Sequence, residues 1–347
     1  MLLEKRMKPV RIAQIGIGHN HADATMATLR KFPQYFEVVG VAEDDPKWYE
    51  RRHGWKPYEG LKFMGEDELL STPGLEAVCV EKDVPDNEAA AIRCAERGLH
   101  IHMDKPGGED YADFVRLVEM QRKGGKAFQM AYMYRYNPAI RQCLDMARSG
   151  RLGDIFEIDC QMSTTHSAIY REWLSNFKAG DMYIFGSHLI DLIVCMLGEP
   201  EKISTFNINS FPEVAKCVDN GLAVLQYPRA TCTVRTTSLE ANGYVRRQLV
   251  VCGTKGTVEI KPMENPTKMS VAWSRPMAPG SLGQAGAADN REWIDVPDFG
   301  GRYDAQLIDF ARVVRGEIEN PFGYDHELAV ERTVLRACGI TFGEDRP

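Results

Sequence analysis

Along the first third of the chain, short apolar runs alternate with stretches whose apolar residues recur at helical spacing. Residues 10–17 form an apolar run ending in Gly16-Ile17-Gly18, and 21–31 carry a helical pattern. Residues 36–42 form a second run, closed by Glu43-Asp44-Asp45-Pro46. A strand at 75–80, a helix at 85–97 stopped by Gly98, a strand at 100–103, a helix at 111–123 and a strand at 126–130 follow. Strands of 4–8 apolar residues separated by helices predict βαβ units around a parallel sheet covered on both faces.

The pattern changes after about residue 132. A helix is expected at 137–149, then a strand at 153–165 in which polar and apolar positions interleave. Residues 185–197 predict a strongly apolar helix, ended by Gly198 and Pro200. From 202 to 260 strand follows strand, with turns at Asn242-Gly243 and 253–256. A Gly-, Ala- and Ser-rich loop is expected at 278–290, and two helices at 303–315 and 326–338 close the chain. The expected architecture is α/β plus α+β: a Rossmann domain at 1–131, and at 132–347 an open, mostly antiparallel sheet covered by helices. There is no internal repeat.

Composition narrows the function. The 347 residues suffice for two domains. With 42 basic against 49 acidic residues the net charge is −7, which argues against a nucleic-acid partner; Arg246-Arg247 and Lys5-Arg6 are too small to reverse that. Nine scattered cysteines without a CxxC pair suit a reducing compartment. No stretch is long enough to span a bilayer and the start lacks a signal-peptide run, so the expected location is cytoplasmic.

The chemistry begins at Arg11–Ala24, RIAQIGIGHNHADA. Gly16 permits a tight turn, and Gly18 lets the backbone approach a pyrophosphate seated at a helix N-terminus, with His19 and Asn20 bordering it. His21 fills the position where the full fingerprint has a third glycine, so a purely structural turn is the competing reading. Glu43 ends the second strand at the distance expected of a ribose-binding carboxylate. With Asp44 it favours NAD over NADP; the alternative is a solvated acidic turn. His19, Asn20 and His21 by themselves make no metal set, and neither HExxH nor a Cys/His cluster occurs, so no metal is expected.

GIG at 16–18, VAEDDP at 41–46, GLHIHMDKP at 98–106, MYRYNP at 133–138, GSHLIDLIVCMLG at 186–198 and GTKGTVEI at 253–260 run in one order over nearly the whole chain. In this set the chain resembles the glucose–fructose oxidoreductase / inositol dehydrogenase (Gfo/Idh/MocA) family. The resemblance implies a Rossmann domain, a sheet domain and a homo-oligomer, dimer or tetramer. It also implies an NAD-dependent carbohydrate oxidoreductase acting on a secondary hydroxyl of a sugar, glycoside or cyclic polyol. Asp104-Lys105-Pro106 stands where the family has Glu-Lys-Pro, so Lys105 would lie near the nicotinamide and favour the developing alkoxide. The family histidine falls at His188, which would take the hydroxyl proton, with Asp191 three residues on to orient it; from the residues alone, a satisfied core histidine is an equal reading.

Three departures from the family pattern stand out. The family Asp four residues before His188 is Ile184 here, and Asp181 lies three residues away from that position. The segment after the fourth strand reads Lys82-Asp83-Val84, and a later family histidine is Asn87; Lys82 and Asn87 would border the cofactor. Tyr136 and Arg135 are candidates for the substrate crevice or for the core. His166, Tyr170, Arg171 and Trp173 are candidates for the substrate side or a subunit interface. Two rival functions remain open. One is NAD-dependent glycoside cleavage by transient oxidation and elimination; the other is a non-catalytic nucleotide-binding sensor.

Overall fold

The computed structural model describes residues 8–275 and 290–342. Apart from Asn290, the loop expected at 278–290 lies outside these residues, as does the chain start through residue 7. The chain forms two compact units, Met1–Met133 with Gly300–Glu331, and Tyr134–Phe299 with Arg332–Pro347.

The first unit contains β1 (Val10–Ile15), α1 (Ala22–Lys31), β2 (Phe36–Ala42), α2 (Pro46–Arg52), β3 (Phe63–Met64), α3 (Glu66–Leu70), β4 (Ala77–Val80), α4 (Val84–Glu96), β5 (His100–Met103), α5 (Tyr111–Gly124) and β6 (Phe128–Met130). The strands form a parallel sheet in the order β3-β2-β1-β4-β5-β6. All four residues of β4 are buried, as expected of a central strand covered on both faces. The strand order reverses between β1 and β4, which is where such sheets leave a crevice for ligands.

Helix starts follow local chemistry. Asp45 accepts from the Lys47 amide ahead of Pro46, and Asp110 accepts from the Ala112 and Asp113 amides. Such caps are each worth about 1 kcal/mol. The stop of α5 is Gly125 in the left-handed region, φ 60°.

Residues 300–331 return to this unit rather than to the second one, a division that a single cut at 131/132 does not capture. Asn320 donates to the Phe128 carbonyl at 2.9 Å, and the Met130 amide donates to Glu327 at 3.3 Å. The open edge of β6 is thus answered by side chains, which blunts a surface that would otherwise invite strand pairing.

The second unit contains α6 (Pro138–Arg148), β7 (Ile155–Ser163), α7 (Ala168–Leu174), α8 (Ser187–Leu197), β8 (Lys202–Ile208), β9 (Asn220–Gln226), β10 (Thr231–Thr237), β11 (Gln248–Gly253), β12 (Gly256–Ile260), β13 (Lys268–Trp273) and β14 (Arg291–Asp295). Its sheet has the order β14-β13-β12-β11-β7-β10-β9-β8. Only β7 and β10 pair in parallel; the other neighbours are antiparallel. Period-2 alternation turns Ile158, Cys160, Cys232, Val234, Leu249 and Val251 to the buried face. The apolar helix α8 packs on β7, β10 and α6. Ahead of it, Met182–Gly186 forms a π-turn.

The remaining helices are α9 (Asp304–Val314), in the first unit, and α10 (Tyr324–Ala337), whose residues through Glu331 belong to the first unit and the rest to the second. All nine cysteines are free thiols, seven of them buried. No helix among the described residues is long and apolar enough to cross a membrane.

Candidate active site

In the first unit, the loop from Gly16 to His21 crosses the carboxyl end of β4. Gly16 has φ +91°, and a Cβ there would fall 2.5 Å from the Lys82 amide nitrogen. At Gly18 a Cβ would meet the Asp83 nitrogen at 2.7 Å and the Trp48 ring at 3.0 Å. Only glycine fits either position. Buried Arg52 secures the loop, donating to the Ile17 carbonyl at 2.8 Å and the His19 carbonyl at 2.6 Å, with its guanidinium over Trp48. Helix α1 opens at His21, whose side chain does not cap it. The His21 amide donates to His19 Nδ1 and the Ala22 amide to the His19 carbonyl, both at 3.2 Å, and the glycine loop ahead of this helix start fits a nucleotide phosphate.

Glu43 is turned inward. Its Oε2 accepts from the Ile17 amide at 2.7 Å; its Oε1 accepts from the Asp45 amide and from Lys82 Nζ, both at 3.0 Å. The carboxylate thus braces the glycine loop, while Asp44 is the exposed acid at the same strand end. Asn87 joins neighbouring strand ends: the Lys82 amide donates to its Oδ1 at 3.0 Å, and its Nδ2 donates to the Asp104 carbonyl at 2.8 Å. Lys105 is buried directly after β5, and its amide donates to Asp104 Oδ1 at 2.8 Å. Gly107 is anchored in turn, its amide donating to Glu331 at 3.0 Å.

Asp104 is the centre of a grouping the sequence did not reveal. His19 Nδ1 lies 3.1 Å from Asp104 Oδ2, and His21 Nδ1 lies 3.0 Å from the same oxygen. Glu81, wholly buried at the end of β4, places Oε2 3.7 Å from His19 Nδ1. Burial would raise the Asp104 carboxyl, but the two histidines outweigh it and hold Asp104 well below the usual carboxylate range. Burial, reinforced by Asp104, pushes Glu81 well above that range. Burial, only partly offset by Asp104, takes His21 down to about 4. His19, Asn20 and His21 made no convincing metal set in the sequence; folding brings the Asp104 carboxylate to the two histidines, with Glu81 beside His19. The available signal was Glu81 itself, an acid ending an otherwise apolar strand.

In the second unit, His188 is buried near the start of α8, its ring edge-on to Tyr134 with centroids 5.0 Å apart. Asp191 is wholly buried and held by Arg135: Nε donates to both carboxylate oxygens at 2.9 and 3.0 Å, and Nη2 to Oδ1 at 2.6 Å. This pair accounts for the burial of Arg135, which the sequence left undecided. Tyr136 is also buried. His166 stacks on Tyr170 at 4.1 Å and on Phe185 at 5.2 Å, and Tyr170 meets Trp173 at 5.2 Å. Tyr170 and Trp173 stay half-buried, so these rings form a partly open aromatic shelf. Arg171 is buried and pairs with Asp219 at 3.3 Å. Ile184 lies buried inside the π-turn. Asp181, at the head of that turn, accepts from Ser238 Oγ at 2.7 Å, and burial pushes its carboxyl up to about 7.

Comparison with known proteins agrees with this layout. Residues 10–132 match the model of an oxidoreductase family with an NAD-binding Rossmann fold, and 140–259 match the GFO/IDH/MocA C-terminal domain. The chain belongs to the GFO/IDH/MocA oxidoreductase family. A trans-1,2-dihydrobenzene-1,2-diol dehydrogenase of Bos taurus is 25% identical over 92% of this chain and 94% of its own length. An inositol 2-dehydrogenase of Streptomyces avermitilis is 34% identical over 43% of each. Among solved structures, a levoglucosan dehydrogenase in complex with NADH and levoglucosan shares the fold at a TM-score of 0.77 and 16% identity, over 95% of this chain and 97% of its own. A nucleotide cofactor and a small-molecule substrate follow from family membership.

Proposed function

We propose that this family member oxidises a secondary hydroxyl of a sugar, glycoside or cyclic polyol to the ketone with NAD. The observation that carries the reading is Lys105, buried directly after β5 of a Rossmann sheet, on the rim where parallel sheets bind ligands. The bound nicotinamide supplies a hydride acceptor. The chain's residues supply position and charge. The Lys105 ammonium donates to the reacting oxygen and favours its alkoxide form, and neutral His188 accepts the hydroxyl proton. The half-buried shelf of His166, Tyr170 and Trp173 offers apolar faces with polar rims, which suit a sugar ring. Exposed Asp44, with Glu43 behind it, favours ribose hydroxyls over a 2′-phosphate, and Lys82 beside Glu43 softens that preference without reversing it. The names of the relatives, a cyclic diol dehydrogenase, an inositol dehydrogenase and a levoglucosan dehydrogenase bound to NADH, support a hydroxylated ring as substrate.

The test is incubation with NAD and a panel of sugars, glycosides and inositols, following NADH and products together. A keto product in step with NADH supports the reading. Free sugar released from a glycoside without net NADH would replace it with oxidation–elimination, and nucleotide binding without turnover would replace it with a sensor.

A further inference from the structure

His19, His21, Asp104 and Glu81 form a mixed nitrogen–oxygen cluster that the proposed hydride chemistry does not use. Three of the four are at most 4% exposed, and among the described residues no Arg or Lys forms an ion pair with Asp104 or Glu81. The amide of His21 donates to His19 Nδ1 at 3.2 Å, so that nitrogen presents a lone pair. It lies 3.1 Å from Asp104 Oδ2, the same oxygen that His21 Nδ1 approaches, with Glu81 Oε2 at 3.7 Å. Such an arrangement of lone pairs calls for a positive charge at its centre.

The spacing specifies which. Around an ion with bonds of 2.0–2.1 Å, tetrahedral ligand atoms sit roughly 3.3 Å apart. His19 Nδ1, His21 Nδ1 and an Asp104 carboxylate oxygen all lie within 4.8 Å of one another, and the two nitrogens sit 3.1 and 3.0 Å from Asp104 Oδ2, near that value. Two imidazoles with a carboxylate suit zinc and its transition-metal neighbours rather than magnesium or calcium, which take oxygen ligands. His21 is the one partly open member, its side chain 20% exposed, and gives an ion a way in.

We infer that the first unit carries a site for one divalent transition-metal ion of the zinc class, with Nδ1 of His19 and His21 and the carboxylate of Asp104 as ligands and one position left open. Because the site joins the glycine loop to the end of β5, the ion clamps two segments that the chain separates by more than 80 residues.

The test uses the full-length chain without a polyhistidine tag, stripped with a chelator and titrated with Co²⁺. Expected are about one equivalent bound per chain, visible ligand-field bands and a raised unfolding temperature. Asp104→Asn, which keeps the side chain's shape, and His21→Ala, at the open rim, should each weaken Co²⁺ binding by about tenfold or more. Circular dichroism checks that both variants fold. Binding of less than about a tenth of an equivalent by the wild type, or wild-type affinity in both variants, overturns the site. Because no nucleotide or substrate enters this measurement, its failure leaves the proposed oxidation standing, and failure of the oxidation leaves the metal site standing.

Discussion

Each unit buries a carboxylate close to a residue assigned to the reaction, and the two are neutralised in opposite ways. Asp191, three residues after His188, is met by Arg135 through three short donor contacts, both side chains at most 1% exposed. Asp104, just before Lys105, is met by two imidazoles and has the second carboxylate of Glu81 close by. A guanidinium stays charged at any working pH, so the first arrangement is a fixed brace. Imidazoles can carry a proton, share one or bind a metal, so the second can respond to what is bound near it. The same task, burying an acid, thus serves rigidity in one unit and chemistry in the other.

The largest test of this contrast is Arg135→Met. It strands Asp191 without its cation, and the expected loss is about 3–5 kcal/mol of stability, read as a lower denaturation midpoint. A loss below about 1 kcal/mol would show that Asp191 is not held as described. Lys105→Met should instead leave stability nearly intact and lower kcat by about 10²–10³, with NAD affinity little changed. Full turnover in that variant would remove Lys105 from the chemistry.

Smaller, but with a definite sign, is the pH response of Asp181. Its folded carboxyl titrates at about 7, above the ordinary aspartate value. Between those values the unfolded chain has already lost the proton that the folded one keeps, so this group makes stability fall as pH rises through that window. Asp181→Asn should therefore stabilise the protein at pH 8 relative to wild type and change little at pH 4; an equal difference at both would refute the assignment. The smallest expected effect is Asp44→Ala, which should narrow the proposed preference for NAD over NADP a few-fold, compared as kcat/KM with the two cofactors.

Much of the first unit could be read from local pattern. The strand at 36–42 falls where its apolar run places it, because a parallel strand covered on both faces is rich in apolar residues. The glycine loop was legible because few residues tolerate a turn against a strand end. Short α2, α3 and α7 were not legible: five to seven residues carry too little periodicity, and caps and packing decide them. The shelf of His166, Tyr170 and Trp173 was visible as a cluster of residue types, but its stacking order was not. Glu43 shows the limit most sharply. Its place at the strand end follows from spacing, whereas its inward turn depends on Lys82, 39 residues away.

By itself, then, the chain's sequence determined the order of elements, the glycine loop, the position of Lys105 after its strand and the apolar character of α8, all of which depend on neighbours within a few residues. Tertiary structure alone decided that Arg135 finds Asp191, that residues 300–331 return to cover β6, and that His19 and His21 meet Asp104 and Glu81. Those pairings join residues far apart in the chain. Burial and charge select them only once the sheet has brought its strand ends together.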